Sequence, residues 1–267
     1  MQNFTIDLKF GRGAYGSDPV GYHAIRPAYP DWVFEMLVER GCIFNGAAAF
    51  EIGAGTGTAT RHLVELGVNP LVIIEPDERM AGFLCDTIQY NGLSVLSVPF
   101  EEAPLTENSF DFGFSATSFH WLNEEVALEK IARSLRPGGW FGMVWNVFGV
   151  YDRYDAFHEA TKELLAGPMS PAEGPGMTPF GLDFKSRIAA LERTDAFDSI
   201  EYKFTEWSWV LDAAQTVALY STFSNIKIRE DKEMVLAELG RIATEQFPGG
   251  VTRNMATCLY IARRKND

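Results

Sequence analysis

The apolar residues of this chain fall into short continuous runs separated by amphipathic stretches, the pattern of buried parallel strands alternating with helices. Ala47 to Ile52 reads as a buried strand running into Gly53-Ala54-Gly55-Thr56-Gly57, and Thr58 to Leu66 as the following helix. Leu71 to Ile74 is a second strand, with Asp77 placed to cap the next helix. Further strands are expected at Ser94 to Val98, Asn108 to Ser115 and Phe141 to Val147, the last entered through a turn at Leu135 to Trp140. Helical spacing follows over Tyr151 to Ala166 and Leu182 to Thr194, separated by an irregular Gly167 to Gly181 that holds four glycines and four prolines. Alternation predicts a strand over Ile200 to Val210, then helices over Asp212 to Phe223 and Glu230 to Phe247, and a final strand over Val251 to Ala262. Ahead of the core, a helix over Asp31 to Arg40 is preceded by a glycine- and proline-rich arm, residues 9–30, which reads as a loop able to serve as a lid.

The chemistry concentrates at the first strand-to-helix turn. A dinucleotide fingerprint, Gly-x-Gly-x-x-Gly, needs a third glycine for close helix packing. Thr58 stands there instead. Glu51, two places before Gly53, would repel a pyrophosphate but attract the ammonium and sulfonium of S-adenosylmethionine (SAM). Glu75, 22 residues beyond Gly53 at the end of the second strand, is spaced to grip ribose hydroxyls. Met80, one turn into the next helix, is placed either to cover an adenine face or to fill core.

In order along the chain, these segments resemble the class I SAM-dependent methyltransferases, most closely the small-molecule (type 11-like) group. The resemblance covers residues 20–147 and rests on the glycine turn, Glu75-Pro76, Pro99-Phe100-Glu101-Glu102, the strand ending at Ser115, Phe119-His120-Trp121 and Leu135-Arg136-Pro137-Gly138-Gly139. It implies an α/β, Rossmann-like, doubly wound sheet of seven mostly parallel strands in the order 3-2-1-4-5-7-6, with helices on both faces. It implies one domain over residues 1–267, with residues 1–30 as arm or lid and 148–199 as an insertion covering the acceptor. Cofactor contacts fall to Glu51, Gly53, Ala54, Gly55, Gly57, Glu75, Pro76, Met80, Phe100, Glu101 and Ser115. Tyr22 and Arg26, in a Tyr-x-x-x-Arg-Pro-x-Tyr-Pro segment similar to that of these enzymes, are expected either to meet the cofactor's carboxylate or an acidic acceptor, or to pack an ordered strap. His120 is the one base candidate, with pocket lining or orientation of Trp121 as its other reading.

Composition narrows the acceptor. Formal charge is −13 without a Lys/Arg run, and the Asn-Pro-Pro-Tyr type segment of amino-group nucleic-acid methyltransferases is replaced by Ser115-Ala116-Thr117-Ser118. Phosphate contacts dominate nucleic-acid affinity, so no nucleic-acid partner is expected. Three scattered cysteines suggest neither disulfides nor a metal site, and the absence of a long apolar window or leader pattern suggests a cytoplasmic chain without membrane partners. Phe148, Tyr151, Tyr154, Phe157, Phe180, Trp207, Trp209, Tyr220 and Phe223 are available to enclose a small-molecule acceptor, with Tyr220 to Ser224 as a candidate wall. Arg12 and Arg26 suit a carboxylate; His120 and the aromatics suit a phenol or quinone-like molecule. A noncatalytic SAM-binding protein and a nicotinamide-dependent oxidoreductase are the alternatives from other classes.

Overall fold

The computed structural model describes residues 4–149, 154–172 and 178–266. Its elements run β1 (Phe4–Thr5), α1 (Pro19–Ile25), α2 (Asp31–Glu39), β2 (Ala49–Ile52), α3 (Thr58–Glu65), β3 (Leu71–Ile74), α4 (Glu78–Thr87), β4 (Leu93–Leu96), β5 (Phe110–Ala116), α5 (Glu124–Ser134) and β6 (Leu135–Phe148). They continue through α6 (Ala156–Thr161), β7 (Pro168–Met169), α7 (Phe184–Arg193), β8 (Phe197–Leu211), α8 (Ala213–Ser221), α9 (Ser224–Lys227), α10 (Lys232–Gln246) and β9 (Val251–Arg264).

Seven strands form one sheet in the order β4-β3-β2-β5-β6-β9-β8, which is the expected 3-2-1-4-5-7-6. All neighbours pair in parallel except β9, which runs antiparallel to both β6 and β8. Every residue of β2 is buried, as a strand covered on both faces requires. Phe50 and Ile52 point into one core with Leu128, Ile131 and Phe141, under α5 and α7. Opposite lies a second core, where Leu37 of α2, Leu63 of α3 and Leu84 of α4 pack on Leu71, Phe112 and Phe114. A third cluster joins Phe157 of α6 to Tyr220 of α8 and to Val235 and Leu239 of α10.

The arm departs from the loop expectation. Asp18 accepts from the Gly21 backbone N–H at 2.9 Å and Pro19 opens α1, so an N-cap with proline in the first turn is enough to nucleate a short helix. Residues 4–5 also pair with Pro168–Met169, giving the stretch expected to be irregular a two-residue strand. The helix expected over Tyr151 to Ala166 is confined to α6, whose cap Asp155 accepts from the His158 N–H at 2.8 Å; Tyr151 lies outside the described residues. The turn expected at Leu135 to Trp140 belongs to β6, whose pairing with β5 shifts register between Phe110 and Phe112 near the left-handed Gly138 (φ 76°).

Close packing of the sheet relies on Gly113 in β5, where a Cβ atom would meet the Phe50 ring at 2.5 Å. Overpacking of this kind costs about 1–3 kcal/mol. Gly113→Ala is therefore expected to lower the unfolding free energy by about that amount, read as a lower urea midpoint at an unchanged denaturant slope.

Candidate active site

The C-terminal ends of the parallel strands open into a cavity of about 930 Å³. That volume suits a nucleoside-sized ligand together with a small molecule, and its place beyond the strand ends is where open α/β sheets bind ligands.

One end is built around the glycine turn. Gly53, Gly55 and Gly57 all have positive φ (64°, 58° and 83°), which only glycine adopts without strain. A Cβ at Gly53 would sit 2.5 Å from Ser118 Cβ, so the turn also passes hard against the residues after β5. Glu51 is fully buried on β2. Its Oε2 accepts from Thr60 Oγ1 at 2.7 Å, while Oε1 has no partner. Glu75 receives the Gly55 N–H on Oε2 at 2.8 Å and the Asp77 N–H on Oε1 at 2.9 Å. Each carboxylate oxygen has a second lone pair, so Glu75 keeps capacity for hydroxyl donors. Burial pushes both carboxyls up to about 7, and Glu75 adds to the rise at Glu51. Neither has an ion-pair partner among the described residues. A buried carboxylate with an orphaned oxygen beside a cavity is the donor set a cationic ligand needs and a diphosphate would be repelled by.

Ala54, Pro76, Met80 and Phe100 line the same end. Met80 lies 3.7 Å from where a Gly55 Cβ would stand. The loop bearing Phe100 is pinned from α5, because Lys130 Nζ donates to the Phe100, Glu101 and Ala103 carbonyls at 2.7, 3.0 and 2.6 Å. Glu101 lines the cavity but is engaged by Arg12 at 3.2 Å. Two expected contacts stand behind the wall instead. Gly57 caps α3 and faces Ile88 and Leu84, so it shapes the turn rather than meeting a ligand. Ser115 is fully buried by the alternation of β5. Its Oγ lies 2.7 Å from Ser118 Oγ, and Ser118 is the one that reaches the cavity.

The other end is aromatic and carries Arg26. Tyr22 and Arg26 both line it. The Arg26 guanidinium lies over the rings of Tyr22 (4.9 Å) and Phe223 (5.0 Å), and its Nη2 donates to the Thr222 carbonyl at 3.2 Å. Its Nε is buried without a partner. His120 is 6% exposed, in a turn of 3₁₀ helix after β5, and its Nδ1 accepts from Trp145 Nε1 at 3.1 Å. Burial, reinforced by Arg26, holds its imidazole far below the ordinary range, at about 3. That geometry opposes the base role expected for His120: the ring is neutral and its free lone pair is already taken.

Of the expected aromatic walls, Phe148, Tyr154, Tyr220 and Phe223 line the cavity. Phe157 is core, Trp207 donates to Thr257 Oγ1 at 2.9 Å, Trp209 packs against Leu211, and Phe180 lies over the Trp145 ring without reaching the cavity. Tyr15, Trp121, Trp145, Asn146 and Arg253 also line it and were not expected. Trp145 and Asn146 sit at the C-terminal end of the fifth parallel strand, a position that strand order alone marks as ligand-facing. Arg253 comes from β9 through a buried ion pair to Asp155 (2.8 Å), which no local motif announces.

The arm is tied across the cavity. Asp77 Oδ2 accepts the Gly16 N–H at 3.0 Å, Arg79 donates to the Gly13 carbonyl at 3.0 Å, and Lys227 donates to Ser17 Oγ at 2.9 Å. Asn146 Nδ2 donates to the Pro27 and Ala28 carbonyls at 3.3 and 3.1 Å, fixing the segment that carries Arg26.

Comparison with known proteins agrees with this geometry. Residues 50–143 match the Methyltransf_11 family, described as a methyltransferase domain. An uncharacterized methyltransferase of Mycobacterium tuberculosis is 34% identical over 137 residues, 50% of this chain and 52% of that protein, so the chain spans about half the length of the mycobacterial relatives it matches. An uncharacterized methyltransferase-like protein of Schizosaccharomyces pombe is 28% identical over 89% of this chain and 87% of its own. Among solved structures, Haemonchus contortus phosphoethanolamine N-methyltransferase 2 in complex with S-adenosyl-L-methionine superposes with a TM-score of 0.58 at 16% identity, over 94% of this chain and 57% of that one. The [4+2]-cyclase SpnF superposes at 0.54 and 15% identity, over 91% and 85%. Such distant neighbours establish the fold alone, and one of them is a cyclase, so architecture does not by itself name a reaction. Residues 50–143, which hold the carboxylate-lined glycine turn, thus form a methyltransferase domain of the type 11 group.

Proposed function

We propose that this protein transfers a methyl group from SAM to a small-molecule acceptor of the carboxylate or phenol/quinone-like kind. The observation that carries the reading is the pair of buried carboxylates, Glu51 and Glu75, without ion-pair partners among the described residues, flanking a left-handed glycine turn in a cavity. Glu51 and the glycine turn would hold the charged amino-acid end of the cofactor, Glu75 the ribose, and Met80 and Phe100 the base. When bound, the cofactor supplies an electrophilic methyl on a sulfonium.

The chain's own residues supply placement and exclusion of water. In-line displacement gains most from alignment, and an aromatic chamber keeps the acceptor dry and oriented. Arg26, with a buried Nε lacking a partner, favours an anionic acceptor over a cationic amine. The wall drawn from Phe148, Tyr220 and Phe223 suits a flat or apolar body on that acceptor. The arm and the 148–199 segment would cover it, with Tyr220, Phe223, Ser224 and Asn225 lining the same chamber.

Calorimetry tests the cofactor half directly. SAM and S-adenosylhomocysteine are expected to bind, NADH is not, and Glu75→Ala is expected to weaken SAM by about ten- to a hundredfold through lost charge-assisted hydrogen bonds. NADH binding without SAM binding would overturn the assignment. SAM binding with no S-adenosylhomocysteine release across carboxylates, phenols, thiols and amines would leave a noncatalytic binder.

The pH dependence has a definite sign. Both carboxyls lie at about 7 in the fold against an ordinary 4.5, so the folded chain alone binds more protons and loses stability as pH rises from 4.5 to about 7. A bound cation favours the ionised form, so binding releases protons and strengthens as pH rises through about 7. The increase in melting temperature caused by SAM is expected to be larger at pH 8 than at pH 6, and Glu51→Gln is expected to flatten that difference.

A further inference from the structure

We infer that His120 is locked by Trp145 as the Nε2–H tautomer and donates a hydrogen bond to an oxygen of the methyl acceptor, so that the cavity selects acceptors already ionised on arrival, of the carboxylate class. The inference rests on the methyl-transfer reading above and deepens it.

An indole N–H can only donate. Trp145 Nε1 lies 3.1 Å from His120 Nδ1, so Nδ1 must be the acceptor and the ring proton of a neutral imidazole must sit on Nε2. Trp145 is in no position to give way. It is 2% exposed, on a strand paired on both sides, with Phe180 at 5.5 Å and Tyr260 at 6.0 Å from its ring. Flipping the tautomer would set two N–H groups against each other and leave a buried donor unpaired. Protonating the ring instead is opposed by burial and by Arg26, the charged group that acts on it, and holds it at about 3. His120 thus presents a proton to the cavity and no lone pair, which is the opposite of what a general base requires.

Other titratable groups among the described lining residues have partners of their own. Tyr15 is buried beside Arg26 and held in its protonated form, pushed up to about 12. Glu51 and Glu75 belong to the glycine turn. His158, on α6, is stacked on Tyr154 at 4.1 Å, and Glu159 is paired with Lys162 at 2.7 Å. Around the acceptor, His120 Nε2–H and Arg26 therefore offer donors to an oxygen, and His120 itself removes no proton. A carboxylate needs none removed. One of its oxygens forms the O–CH₃ bond while the S–CH₃ bond breaks and its electron pair returns to sulfur, giving an ester and a neutral thioether without proton transfer. A phenol would arrive protonated and meet His120 as a donor, not as a base.

The test uses the full chain labelled with ¹⁵N in its four histidines, with His120→Gln identifying the resonance. Long-range ¹H–¹⁵N spectra are expected to show His120 as Nε2–H at every pH from 5 to 8, with or without S-adenosylhomocysteine. A Nδ1–H pattern, or titration of the ring inside that range, overturns the proposal. Benzoate and phenol serve as paired probes in the presence of S-adenosylhomocysteine. Benzoate is expected to shift the His120 Nε2 resonance and to bind at least about tenfold more weakly to His120→Ala, as loss of a hydrogen bond to a charged group implies. His120→Gln, whose amide can accept from Trp145 and donate into the cavity, is expected to restore most of that affinity, and phenol affinity is expected to change less than benzoate affinity across the three proteins. Equal benzoate affinity in wild type and His120→Ala, or no benzoate binding to wild type, overturns the proposal. Failure of the methyl-transfer reading is separate: it shows as absent SAM binding in calorimetry, whatever the tautomer.

Discussion

Two desolvated carboxylates, Glu51 and Glu75, set the terms on which the rest of this molecule is arranged. Burying a carboxylate without a cationic partner opposes its ionisation, and here that is done twice around one glycine turn. The arrangement is unfavourable in the isolated fold, which answers by holding protons on both groups near neutrality. A positively charged ligand relieves the strain and a pyrophosphate aggravates it. What distinguishes this cavity from a dinucleotide site of the same topology is therefore the sign of a local field. The third glycine, absent at Thr58, is the backbone counterpart of that difference.

Much of the fold could be read from the order of residues because the signals were local. Continuous apolar runs gave β2 and β3 to the residue or nearly so, and alternation gave β8 and β9 with somewhat short ends. The turn at Gly53 to Gly57 lay between a buried strand and an amphipathic helix, so its geometry followed from the conformations only glycine tolerates. The arm departs from its loop composition for an equally local reason: within its glycines and prolines, Asp18-Pro19, an acceptor side chain followed by proline, is a helix-start signal. Gly57 and Ser115 were placed near the cavity by motif, and a change of face along the turn and the strand put them behind its wall.

The acceptor end was less legible because it is assembled from distant pieces. Arg26 comes from the arm, Trp145 from β6, Phe223 from the connection after α8 and Arg253 from β9. Their encounter depends on a sheet whose strand order brings β9 beside β6, and on tethers such as the Asn146 hydrogen bonds to Pro27 and Ala28. Residue type and a place just past the fourth strand mark His120 as a base candidate, with pocket lining as its other reading. Its partner 25 positions later opposes the first.

Trp145 therefore belongs to two systems at once. It is a packing residue of the hydrophobic core, and through its single N–H it also decides on which nitrogen of a neighbouring ring a hydrogen resides. Conservative repacking at that position, Trp to Phe for instance, would keep the volume roughly filled while freeing the imidazole to choose its own tautomer. In this protein the interior and the chemistry cannot drift independently, because one indole is shared between them.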